Sequence, residues 1–367
     1  MLSKFGIVVI VIISFQSIIY MGIYMYSTLH VPLIKANSTA AHKKRSSGYI
    51  RSGFNDSDTK FLTIFTTFSE RELPRFRIQN NTLCNYEKFP KHLTERAIFA
   101  SDGFHLRRDG KCWLETVSNK NDSDWNIINL EPHMTAAGRP VLRQMFIETQ
   151  KRFNTDLYMY SNGDILFHVE KLITSLEEVK RFTEAHNIRR FIVFGARHEA
   201  KFYNSASNGT VELMSGLDDE ITQRGQGTKL GRLDAQDYFI TSETSFPWDA
   251  VPDYVISLPA FDNWLLMFSN KADIATFDIT ATNLAVHQAG VPKFEDNNYQ
   301  KSMSSNRKLW NESIISYVGS GLNCCKWKTV YKESKVIMVK NPAFNKNCIA
   351  KLKIPVENLL DEKIFES

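Results

Sequence analysis

Leu157-Tyr158-Met159-Tyr160-Ser161-Asn162-Gly163-Asp164-Ile165 is the stretch on which the fold turns. Its first four residues, all large and apolar or aromatic, read as a buried strand; oxygen-bearing side chains follow at once, where that strand has to end. Upstream, Leu142, Met145, Phe146, Thr149 and Phe153 recur at helical spacing behind Pro140, a residue favoured in a first helical turn. Downstream, Val169, Leu172, Ile173, Leu176, Val179 and Phe182 mark a second helix, which leads into the strand Phe191-Ile192-Val193-Phe194-Gly195. Earlier still, Phe61-Leu62-Thr63-Ile64-Phe65, Ala97-Ile98-Phe99-Ala100 and Trp125 to Leu130 read as three more strands. Strands separated by helices predict an α/β, Rossmann-like fold: a mostly parallel sheet flanked by helices, with ligands expected beyond the carboxyl ends of the strands. From Lys201 to Gly231 the pattern lapses into Gly, Ser, Asn and Thr. That segment reads as a long mobile loop, either a lid over a site or a plain insertion.

The amino-terminal end adds a membrane. Phe5 to Tyr26 is almost wholly apolar, broken only by Ser14, Gln16, Ser17 and two glycines, and is long enough as a helix to span a bilayer. A cleaved signal peptide is the competing reading, but its apolar region is usually about 7–15 residues. The chain therefore divides into a short cytoplasmic tail (1–4), an anchor (5–27), a polar stem too poor in apolar residues to fold alone (28–59), and one lumenal domain (60–367). Flanking lysines and arginines do not set the orientation. The sequons do so better: Asn37, Asn55, Asn80, Asn121, Asn208 and Asn311 each head an Asn-X-Ser/Thr, and all follow the anchor. A lumenal chain is also expected to pair some of its five cysteines. No zinc-type spacing links them; Cys84 with Cys112, and Cys348 with either Cys324 or Cys325, are the pairings considered. The formal net charge of +5 is spread thinly, with no basic stripe interleaved with aromatics, which argues against nucleic acid as the partner.

The end of the Tyr160 strand carries the chemistry. Asp164, with Asn162 close by, offers the oxygen ligands that hard cations such as Mg²⁺ and Mn²⁺ favour, although Ser-Asn-Gly-Asp is also ordinary turn chemistry. Three further segments follow in order: Asp234-Ala235-Gln236-Asp237-Tyr238-Phe239, then Phe261-Asp262-Asn263-Trp264-Leu265, then Ala285-Val286-His287-Gln288. With them the sequence resembles nucleotide-diphospho-sugar glycosyltransferases of the GT-A type. The resemblance is to a group with an (Asn/Asp)-X-Asp-Ile strand end, an Asp-Tyr-Phe motif, a Trp-Asp-Asn-Trp-Leu-like segment and a His-Gln pair, and it runs from about Phe61 to His287.

The resemblance implies a GT-A-like fold, sugar transfer from a nucleotide-sugar donor to a glycan or glycoprotein acceptor, and a Golgi or endoplasmic-reticulum enzyme of single-pass type II topology. Asn162 and Asp164 match the metal position of that fold and His287 its late histidine, which suits Mn²⁺ or Mg²⁺. Asp262 falls where a carboxylate takes the proton from an acceptor hydroxyl; fixing local backbone is the competing role. Asp237, Trp248 and Trp264 are candidates to face the sugar or acceptor, with core packing the alternative for each tryptophan. Thr66, Asp102 and Arg139 are candidate donor contacts. Two positions depart from the pattern. Asn162 replaces an aspartate, and Ser257-Leu258-Pro259-Ala260 lacks the glycine that relatives place before Asp262. A catalytically weak homologue that binds glycans or partners another transferase is therefore the second reading. A sulfotransferase would need a phosphate-cradling loop after the strand ending at Thr67, and a serine hydrolase a Gly-X-Ser-X-Gly turn; neither is present.

Overall fold

The computed structural model describes residues 59–68, 73–106, 112, 125–204, 209–291, 297–313 and 318–349. Third from one edge of a nine-stranded sheet lies β1 (Lys60–Thr67), an apolar strand buried from Leu62 to Thr66. β2 (Thr94–Ala100) and β3 (Asn126–Asn129) add in parallel on one side of it. The chain then crosses back, and β4 (Thr155–Ser161) pairs in parallel with the other edge of β1. This reversal of strand order is the topological switch point at which open α/β sheets form their crevice.

After β4 come β5 (Ile165–Phe167), β6 (Phe191–Phe194), β7 (His198–Lys201), β8 (Lys229–Leu230), β9 (Tyr238–Thr241), β10 (Ala275–Asp278), β11 (Ala285–Ala289), β12 (Trp327–Lys332) and β13 (Lys335–Lys340). Outward from β4 the large sheet runs β9, β6, β10, β12, β13, so that β9 lies between β4 and β6 and is antiparallel to both. β10 and β12 continue in parallel, and β13 turns back on β12. A second sheet, in the order β8, β7, β11, β5, stands beside the carboxyl ends of β4 and β6.

Alternate residues of the strands enter two separate cores, as the two-residue period of a strand requires. Phe65, Tyr158, Tyr160 and Phe194 face Phe146 of α2 (Leu142–Arg152) and Leu265 and Phe268 of α5 (Phe261–Lys271). Ile64, Met159 and Val193 face Leu172, Leu176 and Val179 of α3 (Val169–Ala185). Sheet faces covered on both sides explain why the strands are continuously apolar. The mixed α/β architecture, with its mostly parallel sheet flanked by helices, is the predicted one.

Two expectations change. The segment from Lys201 to Gly231 is not structureless: among its described residues are the paired Tyr203–Asn204 and Gly209–Thr210, the helix α4 (Asp218–Gly225) and the start of β8. Ile221 and Leu213 bury against Leu166 and Val286, a periodicity too short to stand out among polar neighbours. Asn80, a sequon head, lies inside α1 (Leu73–Tyr86) with 6% of its surface exposed, whereas Asn311 is exposed on α6 (Asn297–Ser313). Disulfides join Cys84 to Cys112 and Cys324 to Cys348, leaving Cys325 a buried thiol. The tail, the anchor, the stem up to residue 58, and Asn37, Asn55, Asn121 and Asn208 lie outside the described residues, among which no helix is long and apolar enough to cross a membrane.

Candidate active site

The turn after β4 owes its shape to Gly163, where a β-carbon would meet the Thr67 carbonyl oxygen at 2.7 Å. Only a residue without a side chain lets this turn close against the end of β1. The Thr82 hydroxyl donates to the Gly163 carbonyl at 2.9 Å, and the Gln288 N–H donates to the Asp164 carbonyl at 3.0 Å. That second bond brings β11 to the turn. Gln288 is buried against α1, donating to Ile78 O (3.2 Å) and Thr82 Oγ1 (3.0 Å) and accepting from Asn81 (2.9 Å). Strand alternation sends its neighbour the other way, so His287 Nε2 stands 3.6 Å from Asp164 Oδ2.

The remaining ring nitrogen, His287 Nδ1, lies 2.6 Å from Glu199 Oε2 on β7. Glu199 Oε1 is 3.1 Å from a terminal nitrogen of Arg197, whose Nε lies 2.6 Å from Asp237 Oδ2 and whose other terminal nitrogen donates to the Ala235 carbonyl. Asp237 Oδ1 accepts from Asn162 Nδ2 at 2.7 Å, and Asn162 Oδ1 accepts the Tyr160 hydroxyl at 2.7 Å. On the far side of Asp164, Arg75 donates to Oδ2 at 2.8 Å. Arg75, Ile78 and Thr82 share one face of α1, which is why the helix that clasps Gln288 also delivers a guanidinium to the carboxylate.

The result is a chain of alternating charge from Arg75 through Asp164, His287, Glu199 and Arg197 to Asp237, most of it shielded from solvent. Burial works against an imidazolium at His287, but the carboxylates of Asp164 and Glu199, with Asp237 beyond, outweigh it and push the ring up to about 10. The hydrogen bond from His287 in turn holds Glu199 below its ordinary value despite burial.

Asp262 lies next to this chain, in the first turn of α5, 8% exposed, and accepts the Gln236 N–H at 3.0 Å. Burial is the largest influence on it; opposed by backbone N–H groups and reinforced by Asp237, it raises the carboxyl to about 7. The residue before α5, Ala260, holds φ at 94°. That is the left-handed region glycine favours, at the position where the sequence lacks the expected glycine.

The structure thus brings together Asn162, Asp164, Asp237, Asp262 and His287, and it does not bring the others to them as expected. Trp264 has no exposed surface and stacks on Phe268 at 4.7 Å, and Trp248 stacks on Phe146 at 3.7 Å; both are core residues, so neither faces a sugar. Thr66 is sealed within β1 with no exposure, which excludes a donor contact by its side chain. Asp102 is exposed after β2, and Arg139 lies over the ring of Tyr299 at 5.6 Å. Sequence reading missed Arg75, Arg197 and Glu199. The last two sit two apart in an extended segment, which places them on one face, but nothing local says what they meet. Two surface cavities lie away from these residues, one against Asp156, Lys180 and Arg189 and the other against Pro90, Ile173 and Asp219.

No family model and no curated protein matches the chain. Among solved structures it is similar to two crystal structures of TarS of S. aureus. Residues 1–349 of TarS share 13% identity at a TM-score of 0.23, covering 38% of this chain and 36% of that one. A TarS structure without a stated range shares 12% at 0.24, covering 39% and 24%. The chain thus aligns with about a third or less of TarS, and scores of this size carry no argument about function.

Among the described residues no group of three or more His, Cys, Asp or Glu side chains is arranged to hold a divalent ion. Asn162 has both ends of its amide committed, to Tyr160 and Asp237. Asp164 and His287 do fit. Their 3.6 Å gap exceeds a hydrogen bond, and closing it by about 0.6 Å brings the two atoms to the roughly 3.0 Å that separates neighbouring ligands of an octahedral ion about 2.1 Å away. Cations of this kind complete their shell with water and substrate phosphates rather than with protein alone.

Proposed function

We propose that the chain is a metal-assisted glycosyltransferase which moves a sugar from a nucleotide-diphospho-sugar to a glycan or protein acceptor. The observation that carries this reading is the pair Asp164 and His287, far apart in sequence and 3.6 Å apart beside the switch point of the sheet. Asp164 and His287 would hold Mn²⁺ or Mg²⁺, which supplies charge neutralisation for a departing diphosphate. Arg75 and Arg197, on either side of that pair, add fixed positive charge to the cleft. Asp262 would accept the proton of the acceptor hydroxyl; a carboxyl held near 7 is matched to that task at neutral pH. Asp237, held by Asn162 and Arg197 and close enough to influence both His287 and Asp262, would offer a carboxylate to a sugar hydroxyl, and Asp102 and Arg139 remain proposed donor contacts.

The apolar run at 5–27 and the sequons that follow it support a single-pass type II protein of the Golgi or endoplasmic reticulum, with its catalytic domain lumenal. Asn311, exposed on α6, is the described position best suited to carry a glycan.

Two observations favour a second reading. Arg75 already neutralises Asp164, and the Asn162 amide is committed, which suits a homologue that binds glycans or a partner transferase without turnover. A panel of nucleotide-sugars incubated with the full chain in detergent, with Mn²⁺ or with chelator, separates the two by release of nucleoside diphosphate. Turnover of one donor, dependent on metal and abolished in Asp164→Ala, is expected. Turnover unchanged in that variant removes the metal assignment, and absence of turnover with every donor favours the second reading.

A further inference from the structure

His287 alone does not decide where its Nε2 points. An imidazole on a strand can rotate about two bonds, and either nitrogen can present a lone pair. In this chain the choice is settled from behind. Glu199 Oε2 accepts a hydrogen bond from Nδ1 at 2.6 Å, which leaves Nε2 as the nitrogen facing Asp164. Register enforces the arrangement: β11 runs parallel to β7 with His287 directly opposite Glu199. Glu199 is itself held, because Arg197 reaches its second oxygen at 3.1 Å while anchored to Asp237 and the Ala235 carbonyl. A surface ion pair contributes little, but this one is oriented at every joint and is largely shielded.

Resting on the metal-assisted reading above, we infer that Glu199 is a positioning residue for the cation site, fixing the tautomer and direction of His287, and that Arg197 braces Glu199 for this purpose. Glu199 touches neither the ion nor a substrate. Once an ion takes the place of the Nε2 proton, its effect is to keep the ring aimed and its donor nitrogen basic, the role that outer-shell carboxylates play behind metal-bound histidines, where their removal costs 10–100-fold in metal affinity. Arg197 also links this brace to Asp237 and through it to Asn162, so the two ends of the cleft are held by one side chain.

The test is Mn²⁺ binding to the full chain in detergent, read from the electron paramagnetic resonance signal of the free ion, with thermal melting followed in parallel. Glu199→Ala is expected to weaken Mn²⁺ binding about 10–100-fold with its melting midpoint close to that of the parent chain. Glu199→Gln, whose amide oxygen can still accept from Nδ1, is expected to recover part of that loss. Asp156→Ala, which breaks a comparable ion pair with Lys180 at the opposite end of the sheet, is expected to bind as the parent does. Parent-like binding in Glu199→Ala overturns the inference while leaving the metal pair standing, provided Asp164→Ala has lost binding. An equal loss in Asp156→Ala overturns it too, by showing a general response to lost stability. A parent chain that binds Mn²⁺ no better than Asp164→Ala overturns the metal reading and the inference with it.

Discussion

Asp262→Asn turns the burial of one carboxyl into a measurable pH dependence. In the unfolded chain Asp262 loses its proton near 3.8, and in the fold it keeps it to about 7. Between those values the native state holds a proton that the unfolded state lacks, so raising the pH favours unfolding; below 3.8 and above about 7 the contribution is flat. At about 1.4 kcal/mol per pH unit the charge at Asp262 costs roughly 4 kcal/mol once the pH exceeds 7. Asparagine keeps an oxygen to accept the Gln236 N–H and carries no charge at any pH. The variant should therefore match the parent near pH 4 and exceed it by up to that amount at pH 8. For a domain of this size the difference is on the order of 8 °C in melting midpoint. Tryptophan fluorescence melts of both chains at pH 4.5, 6, 7 and 8 read it directly, because other titrating groups cancel in the comparison. A difference that is constant across the series, or that grows as the pH falls, refutes the placement of Asp262 as a buried carboxyl. The same substitution is expected to abolish any nucleotide-sugar turnover, so stability and activity should move in opposite directions.

Other outcomes follow from individual residues. Ala260→Gly relieves a positive φ at the cap of α5 and should stabilise the chain by about 1 kcal/mol, visible as a small rise in melting midpoint; a fall would show that the backbone there is unstrained. Trp248→Ala removes a ring stacked on Phe146 in the core and should cost roughly 3–5 kcal/mol, whereas a sugar-facing tryptophan would lose activity at unchanged stability. Glycopeptide mapping of the chain expressed with entry into a secretory pathway is expected to find sugar on Asn311 and none on Asn80, which is buried within a helix; an occupied Asn80 would contradict the position of α1.

The strands and helices of the parallel core were legible because each is long, apolar and buried on a regular period. The Leu142 and Val169 helices begin where their apolar repeat begins. The site was legible only where its residues sit at strand ends. Asp164 carries that signal; His287, in the middle of β11, was read from the resemblance alone, while Arg75, Arg197 and Glu199 owe their roles to partners 89, 40 and 88 positions away, and no local pattern encodes such pairings. Trp248 and Trp264 failed for the opposite reason: an aromatic ring suits a sugar and a core equally, and only packing against Phe146 and Phe268 decides between them. The α4 region was missed because its buried residues, Leu213 and Ile221, are too sparse to form a visible stripe.

The reversed direction of β9 separates the floor of the cleft from its rim. Because β9 starts where β4 stops, with Tyr238 laddered to Ser161, Asp237 is fixed by the sheet however the chain arrives there. The preceding excursion through α4 and β8 can then change at its exposed positions without moving Asp237, provided that the contacts of α4 with β11 and of β8 with β7 are kept. Descendants of such a chain are free to acquire new selectivity by rewriting one peripheral stretch, while the inherited reactive groups stay where they were.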